Sequence, residues 1–130
     1  MILKIALYWV AAYLLGSIPT AYLAGRILQG IDIRQHGSKN VGATNALRVL
    51  GRGAGISVLL IDILKGAGAV LLGLALGFSE EIRVLAGIFA ICGHNWTVFL
   101  NFKGGKGVAT SAGVFLALIP ISLLTALILF

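Results

Sequence analysis

Long uncharged apolar stretches alternate with short polar segments along the whole chain, and this pattern predicts transmembrane helices. Residues 5–24 carry no charge and, at about 1.5 Å per helical residue, are long enough to cross a bilayer core of roughly 30 Å. Further apolar stretches predict spans at residues 54–78, 84–100 and 108–130. The predicted fold class is an all-α integral membrane protein, a polytopic helix bundle with about four long spans in a single transmembrane domain over residues 1–130.

The first and last spans have features of their own. Residues 5–24 exceed the apolar core of about 7–15 residues in a signal peptide, so this span is predicted to stay in the protein. A Gly-Ser-Ile-Pro-Thr segment at residues 16–20 interrupts it, since proline removes a backbone donor and small residues admit a neighbouring helix or lipid chain. Pro120 is expected to act in the same way. The sequence stops within apolar residues at Leu129 and Phe130, which predicts either a natural protein that continues or a chain that was cut.

Composition supports a membrane protein and its charges predict an orientation. Hydrophobic residues make up 59% of the chain and charged residues 11%, against about 25% charged in globular proteins. The net charge of +6 is concentrated in two loops, 25–53 and 101–107, while the turn near Glu80 and Glu81 is acidic. The positive-inside rule places both basic loops in the cytoplasm and the N-terminus outside, although Lys4 argues weakly against this. Nucleic-acid binding is not predicted, because the chain lacks a soluble basic face with exposed aromatics.

Residues 102–107, Phe-Lys-Gly-Gly-Lys-Gly, form what we call the lysine–glycine loop. Glycines can take a positive φ, so Gly104, Gly105 and Gly107 are expected to turn backbone N–H groups inward, with Lys103 and Lys106 adding positive charge. Such a loop would hold phosphate at the edge of the bilayer. A tight basic turn that merely obeys the positive-inside rule explains the same residues equally well.

Residues 31–48, which we call the polar loop, are the richest polar stretch. Its hydroxyl, amide and cationic side chains can donate hydrogen bonds to a polyoxygen anion, and its glycines permit tight turns. The candidate residues are His36, Gly37, Ser38, Lys39, Asn40, Gly42, Thr44, Asn45 and Arg48. A short helix is predicted from Ala43, with Thr44 near its cap, which would add N-terminal N–H groups to the same site. A solvated interfacial loop with a capped helix is the alternative. The anion site is favoured because both loops share one membrane face.

Ionisable residues also occur inside the predicted spans. Asp62 and Lys65 lie at i and i+3 in the second span, where a lone charge costs about 2.5–3.5 kcal/mol. An internal ion pair that orients helices is the favoured interpretation, and contact of Lys65 with a ligand is the alternative. His94 lies in the third span, where a histidine is more often a packing residue than a catalyst unless a polar cavity reaches it. Its nearness to the lysine–glycine loop favours a role at the site. Cys92 is interpreted as packing.

Several chemistries are excluded by pattern. His36 and His94 lie 58 positions apart and the chain has one cysteine, so no local metal motif forms and neither a metal nor another cofactor is predicted. No His-x-x-x-x-Asp pair of soluble-type glycerolipid acyltransferases occurs. A nucleotide P-loop is also excluded, because neither Ser nor Thr follows Lys106 and no strand precedes the loop.

Four motifs in order resemble the bacterial acyl-phosphate:glycerol-3-phosphate acyltransferases, the PlsY family. They are Gly-Ser-Ile-Pro at 16–19, the polar-loop residues 37–48, Asp-Ile-Leu-Lys-Gly at 62–66, and Gly93-His94 with the segment 102–110. The resemblance covers nearly the whole chain. It implies transfer of a fatty acyl group from acyl phosphate to the 1-hydroxyl of glycerol 3-phosphate, giving lysophosphatidic acid and phosphate. Family members are longer and carry a further polar motif with asparagine and glutamate, which is missing here.

The resemblance and the residues together suggest roles for the candidate site. Ser38, Asn45, Lys106 and His36 are the catalytic candidates, with His36 as the protein alternative to the leaving phosphate as base. Arg48 and Lys103 are expected to clamp glycerol 3-phosphate, and the backbone of Gly104 and Gly105 to help Lys106 neutralise the leaving phosphate. The remaining substrate-binding candidates are Gly37, Lys39, Asn40, Gly42, Thr44, Lys65, His94, Gly107 and, beside the acyl chain, Ser17. A membrane binding or transport protein for organic phosphates is the competing function.

Overall fold

The computed structural model describes residues 1–119 and 128–129, and the elements in this part of the chain are helical with no strand. The six α-helices are α1 (Ile2–Ser17), α2 (Thr20–Gln29), α3 (Ala43–Leu50), α4 (Arg52–Ala75), α5 (Glu80–Asn95) and α6 (Val108–Leu118). Short 3₁₀ turns cover Ile33–Gln35 and Val98–Leu100. The all-α fold class and the short helix that begins at Ala43 are confirmed.

The predicted spans are reproduced in part. Two segments, Arg52–Ala75 and Glu80–Leu100, are long and apolar enough to cross a membrane, and the bent pair α1 and α2 makes a third if it counts as one span. The second and third predicted spans therefore correspond to α4 and to α5 with its 3₁₀ extension. Of the fourth predicted span the structure describes α6, which has 11 residues. Residues 120–127 and 130 of that span, including Pro120, lie outside the described residues, so a fourth span stays a prediction.

The first predicted span, 5–24, is a bent pair of helices, and the interruption predicted at residues 16–20 lies at the bend. α1 ends at Ser17, α2 begins at Thr20, and their axes differ by 40°. Pro19 has no N–H to give to Leu15, so the Leu15 carbonyl accepts from the Ile18 N–H at 3.3 Å. A second helix holds the bend from outside, because Lys65 Nζ in α4 donates to the Ile18 carbonyl at 2.8 Å.

α1 packs mainly on α5, and the two helices run in the same direction. Trp9 Nε1 donates to the Ile82 carbonyl at 3.0 Å near their beginnings, and Thr97 donates to the Ser17 carbonyl near their ends. The N-terminus and the acidic turn therefore share one end of the bundle, and the two basic loops share the other.

α4 packs mainly on α6 through glycines that bring the two backbones together. A side chain at Gly66 would overlap the Thr110 carbonyl, and one at Gly113 would overlap the Ile63 carbonyl. Close approach of this kind is a usual way for helices to associate in membranes, where the hydrophobic effect cannot drive them together.

We expect Gly66→Ala to destabilise the bundle by about 1–3 kcal/mol, because the added methyl group forces α4 and α6 apart. Gly68→Ala is the matched control in the same helix, since its methyl group would meet only Leu15 Cδ2 at 3.7 Å. Unfolding by SDS titration in mixed micelles measures both variants. Equal stability of the two variants would contradict the close contact between α4 and α6.

A small apolar core fixes the polar loop to the end of the bundle. Its buried members come from α2, the polar loop, α3, α4 and the 3₁₀ turn after α5, and are Ala21, Ile33, Val41, Ala46, Val58 and Leu100. Because Ile33 and Val41 lie within the polar loop itself, this core seats the loop against α4 and beside the lysine–glycine loop.

Candidate anion-binding cavity

A cavity of about 250 Å³ opens where the polar loop, α4, α5 and the start of α6 meet. This volume lies just below the range of about 300–1,000 Å³ typical of pockets for drug-sized ligands. Its polar lining residues come from both basic loops and from the spans between them. The lining residues are Asn40, Gly42, Ala43, Thr44, Leu59, Asp62, Ile63, His94, Lys106, Gly107, Val108, Ala109 and Ala112.

Two helix N-termini border this cavity. The first intrahelical hydrogen bond of α3 is donated by Ala46 to the Gly42 carbonyl, and that of α6 by Ser111 to the Gly107 carbonyl. The N–H groups of the three residues before Ala46 and before Ser111 therefore have no acceptor within their helices. Such donors, together with the positive end of each helix dipole, favour an anion at these helix starts.

The side chains around the cavity add one positive charge that the neighbouring residues do not neutralise. Asp62 is 1% exposed and its Oδ1 lies 2.9 Å from Lys65 Nζ, so these two buried charges offset each other. His94 Nδ1 lies 3.7 Å from the same oxygen, and Lys106 contributes its ammonium from the exposed rim. Within the described residues, no three His, Cys, Asp or Glu side chains group together as a metal site. The cavity thus favours an anion over a cation.

The lysine–glycine loop has a different backbone from the one predicted. Of its three glycines only Gly107 has a positive φ, at 77°. The N–H groups of Gly104 and Gly105 donate to the Asn95 and His94 carbonyls at 2.9 and 3.0 Å, so they close the end of α5. Our prediction that these two N–H groups face an anion was wrong. Glycine is needed there because a side chain at Gly105 would overlap His94 Nε2 and the Val41 carbonyl.

Asn45 organises the polar loop from its buried position at 1% exposure. Its amide nitrogen donates to the carbonyls of His36 and Asn40, both at 3.1 Å, and its Oδ1 accepts from the Ser38 N–H at 2.9 Å. A role for Asn45 in chemistry remains a prediction, and in this structure its side chain is occupied with shaping the loop. Thr44, predicted near the cap of α3, makes no capping hydrogen bond, and Gly42 occupies the cap position.

The structure brings some of the candidates to the cavity and leaves others away from it. Asn40, Gly42, Thr44, His94, Lys106 and Gly107 line it together. The lining does not include the exposed candidates His36, Gly37, Ser38, Lys39, Arg48 and Lys103. Ser17 is fully buried between α1 and α5, so the expectation that it lies beside an acyl chain was wrong. Lys65 lies outside the lining, with its ammonium on Asp62 and the Ile18 carbonyl.

Sequence reasoning missed one part of the cavity wall. Asp62 was predicted to neutralise Lys65 or to line a wet cavity, and in the structure it pairs with Lys65 and lines the cavity as well, as expected for a polar residue that faces the bundle interior. The first turn of α6, with Val108 and Ala109 in the cavity wall, was missed because its apolar residues carry no signal for an anion site. Gly107, immediately followed by an apolar helix, was the available signal for a helix start at the cavity.

Asp32 orders the start of the polar loop through its hydrogen bonds to Arg34. Its carboxylate accepts from Arg34 Nε at 2.9 Å and Nη2 at 2.7 Å, and it caps the 3₁₀ turn through the Arg34 backbone N–H at 3.0 Å. The side-chain hydrogen bonds from Arg34 lower the pKa of Asp32 from 3.8 to about 2. The carboxylate therefore helps to order the loop.

We expect Asp32 to titrate in the folded protein with a midpoint near pH 2. Because its pKa is lower in the folded state, its stabilising contribution is complete above the ordinary 3.8 and is lost as the pH falls through about 2. Carboxyl ¹³C NMR on aspartate-labelled protein measures the midpoint. Arg34→Gln should move it upwards toward the ordinary value, and a wild-type midpoint near that value would contradict the pairing.

Apolar grooves surround the bend between α1 and α2. A cavity of about 550 Å³ lies between α2 and the start of α4, and its wall includes Ile18, Leu23, Ile27, Val58 and Ile61. A second groove of about 320 Å³ runs along Ile18 and Leu23 toward Leu100. Their lining atoms are nearly all apolar, so these grooves suit hydrocarbon rather than a phosphate group.

The fold and this site define the class of the protein: an all-helical integral membrane protein with a basic cavity at one end of its bundle. A model of the glycerol-3-phosphate acyltransferase family matches residues 6–130. The chain therefore belongs to the glycerol-3-phosphate acyltransferase family, which confirms the resemblance drawn from its motifs.

Individual relatives agree with this assignment. Glycerol-3-phosphate acyltransferase 2 of Moorella thermoacetica is 57% identical over 120 residues, which cover 92% of this chain and 61% of the relative. Glycerol-3-phosphate acyltransferase of Trichlorobacter lovleyi is 56% identical over 125 residues, covering 95% of this chain and 64% of the relative. The chain thus spans about three fifths of the length of the relatives it matches.

Solved structures show the same fold. The crystal structure of PlsY, an integral membrane glycerol 3-phosphate acyltransferase, in its glycerol 3-phosphate form has a TM-score of 0.84 and 38% sequence identity, covering 96% of this chain and 62% of that one. The lysophosphatidic acid form of PlsY has a TM-score of 0.85 at the same identity and coverage.

Proposed function

We propose that this chain transfers a fatty acyl group from acyl phosphate to the 1-hydroxyl of glycerol 3-phosphate, giving lysophosphatidic acid and inorganic phosphate. The observation that carries the proposal is the meeting of two helix N-termini and Lys106 at one cavity, in a chain of this family. Both substrates carry a phosphate group, and this arrangement suits phosphate. A PlsY structure exists in a glycerol 3-phosphate form, which supports the same acceptor here.

The chemistry requires positioning and charge neutralisation more than a strong nucleophile. Acyl phosphate is an activated mixed anhydride, so the acceptor hydroxyl oxygen attacks the acyl carbon directly and the bond from that carbon to the phosphate oxygen breaks. The phosphate leaves with the electron pair and takes up the hydroxyl proton. Lys106 and the first-turn N–H groups of α3 and α6 would neutralise the leaving phosphate. No acyl-enzyme is needed.

His36 is the alternative acceptor of that proton. It lies in the exposed part of the polar loop, outside the cavity lining, and is therefore badly placed to reach a bound hydroxyl. We expect His36→Ala to keep its turnover within about tenfold of wild type, measured as phosphate release. A loss beyond about a hundredfold would instead favour His36 as the base.

The acyl chain is proposed to lie in the apolar grooves along Ile18. These grooves lie beside the bend of the first span, where the α1–α2 surface is interrupted. Leu23 contributes to both grooves, so Leu23→Trp should fill them and raise the KM for long-chain acyl phosphates more than for short-chain ones. Equal effects on both chain lengths would place the chain elsewhere.

We further propose that residues 1–130 form one transmembrane domain of a bacterial inner-membrane protein, with four spans, both basic loops in the cytoplasm and the N-terminus outside. The shared end of the two basic loops and the positive-inside rule support this orientation. An Arg52→Cys variant in a Cys92→Ala background tests it. An impermeant maleimide should label that cysteine only after cells are permeabilised. Labelling in intact cells would show that the protein has the opposite orientation.

Phosphate release and lysophosphatidic acid formation test the activity directly. The purified chain in detergent receives acyl phosphate with and without glycerol 3-phosphate, beside the full-length Moorella relative as positive control. We expect acceptor-dependent release with one lysophosphatidic acid formed per phosphate. Accumulation of labelled glycerol 3-phosphate in proteoliposomes without acyl transfer would establish the transport function instead.

A further inference from the structure

Three ionisable side chains form a continuous buried chain of contacts between the bend of the first span and the anion cavity. Asp62, Lys65 and His94 are 1%, 5% and 8% exposed. Lys65 Nζ reaches the Ile18 carbonyl at 2.8 Å and Asp62 Oδ1 at 2.9 Å, and the same oxygen lies 3.7 Å from His94 Nδ1. Charges buried at this depth persist only when paired, so each position constrains the next.

The orientation of His94 follows from these contacts. At 3.7 Å the Nδ1 to Oδ1 contact is too long for a hydrogen bond, but a lone pair on Nδ1 would be repelled by the carboxylate whereas an N–H is attracted. Nδ1 faces Asp62, so Nε2 lies at the opposite edge of the ring, beside Gly105. Gly105 also donates its N–H to the His94 carbonyl at 3.0 Å. His94 thus supports the lysine–glycine loop with both its ring and its backbone.

We propose that Asp62 and Lys65 are positioning residues for the lysine–glycine loop. Lys65 holds the Asp62 carboxylate, which keeps His94 in the Nδ1–H tautomer with its ring fixed. That ring supports Gly105 and so places Lys106 at the cavity rim. A histidine tautomer is commonly set in this way by a carboxylate opposite one ring nitrogen. The tautomer assignment is independent of the reaction, while its kinetic consequence rests on the proposed function.

The tautomer of His94 tests the first half of the proposal. Long-range ¹H–¹⁵N NMR on histidine-labelled protein, at a pH well above the ordinary histidine pKa of about 6.5, distinguishes the two neutral forms. His36→Gln assigns the signals. We expect His94 as Nδ1–H in the wild type, and a wild-type Nε2–H form would overturn the proposal without any variant having to fold.

A double variant, Asp62→Leu with Lys65→Met, removes both buried charges together and leaves no unpaired charge behind. The matched control, Lys4→Met with Glu80→Gln, also removes one cation and one anion, at exposed positions. The buried double variant should shift His94 toward Nε2–H, while the exposed one should not. Retention of the wild-type tautomer in the buried double variant would overturn the proposal.

Kinetics tests the second half. We expect the buried double variant to lower kcat by about 10–100-fold, the usual cost of losing such supporting contacts, with little change in the KM for acyl phosphate. The exposed control should keep its kcat. A variant that changes tautomer while keeping kcat would overturn the positioning role. If the wild type shows no acceptor-dependent release, the proposed function fails, and the tautomer measurement still decides whether Asp62 sets His94.

Discussion

Lys106→Ala should lower acyl transfer by about 100–1,000-fold, because removal of one preorganised charge stabiliser from an active site commonly costs that much. Lys106 is the lysine of the lysine–glycine loop that lines the cavity, beside the starts of α3 and α6. Its ammonium would meet the charge that develops on the leaving phosphate, so the loss should fall on kcat more than on KM. Acceptor-dependent phosphate release at saturating acyl phosphate measures it.

Lys103→Ala is the matched control for this variant. It removes the same charge from the same loop, but Lys103 is exposed and lies outside the cavity lining. From this position we do not expect Lys103 to clamp glycerol 3-phosphate as the sequence suggested. The effect of Lys103→Ala should therefore be about fivefold or less, since exposed charges usually contribute under about 1 kcal/mol. If the two alanine variants lose activity equally, the general charge of the loop matters and the cavity geometry does not.

Gly105→Ala should lower kcat by about a hundredfold while the helices remain intact. The new methyl group would overlap His94 Nε2 and the Val41 carbonyl, so the loop must move and Lys106 moves with it. A displacement of about 1 Å at a catalytic group can cost this much in rate. Circular dichroism and phosphate release on the same sample separate a local shift of the loop from general unfolding.

Gly68→Ala adds the same methyl group where only Leu15 Cδ2 lies within 4 Å, at 3.7 Å. Gly68 lies in the interior of α4 and outside the proposed substrate cavities, so alanine should be tolerated there and improve helix propensity by up to about 1 kcal/mol. Wild-type activity of Gly105→Ala would show that the loop adapts without displacing Lys106, and would remove the steric argument for glycine at position 105.

Hydropathy was sufficient to predict the two long apolar helices. α4 and the segment Glu80–Leu100 are long and strongly apolar, so an apolar window identifies them even though less than half of each is buried inside the protein. The start of α3 was also predictable, because Ala43 follows Gly42 at the end of an irregular polar stretch. Pro19 signalled a disturbance in the first span, but the size of the bend depends on a donor from α4 that the local sequence does not contain.

The candidate site was less predictable, because a pattern of glycines and lysines does not show which role each glycine has or which lysine faces the cavity. A glycine can serve a positive φ, as Gly107 does, or a close contact, as Gly105 does, and the two are identical in sequence. Lys103 and Lys106 differ only in the way the chain turns between them. The pairing of Lys65 with a backbone carbonyl could not be predicted, since every residue in a sequence has such a carbonyl.

The bond from Lys65 to the Ile18 carbonyl also bears on the order in which the protein is assembled during synthesis. The first two helices leave the ribosome well before α4, and domains fold broadly from the N-terminus as they emerge. Until α4 has been inserted, the bend is held only by its local backbone bonds, such as the Ile18 N–H to the Leu15 carbonyl. The arrival of Lys65 therefore completes the bend, so the first helical pair reaches its final shape only after α4, the fourth helix along the chain, has joined it.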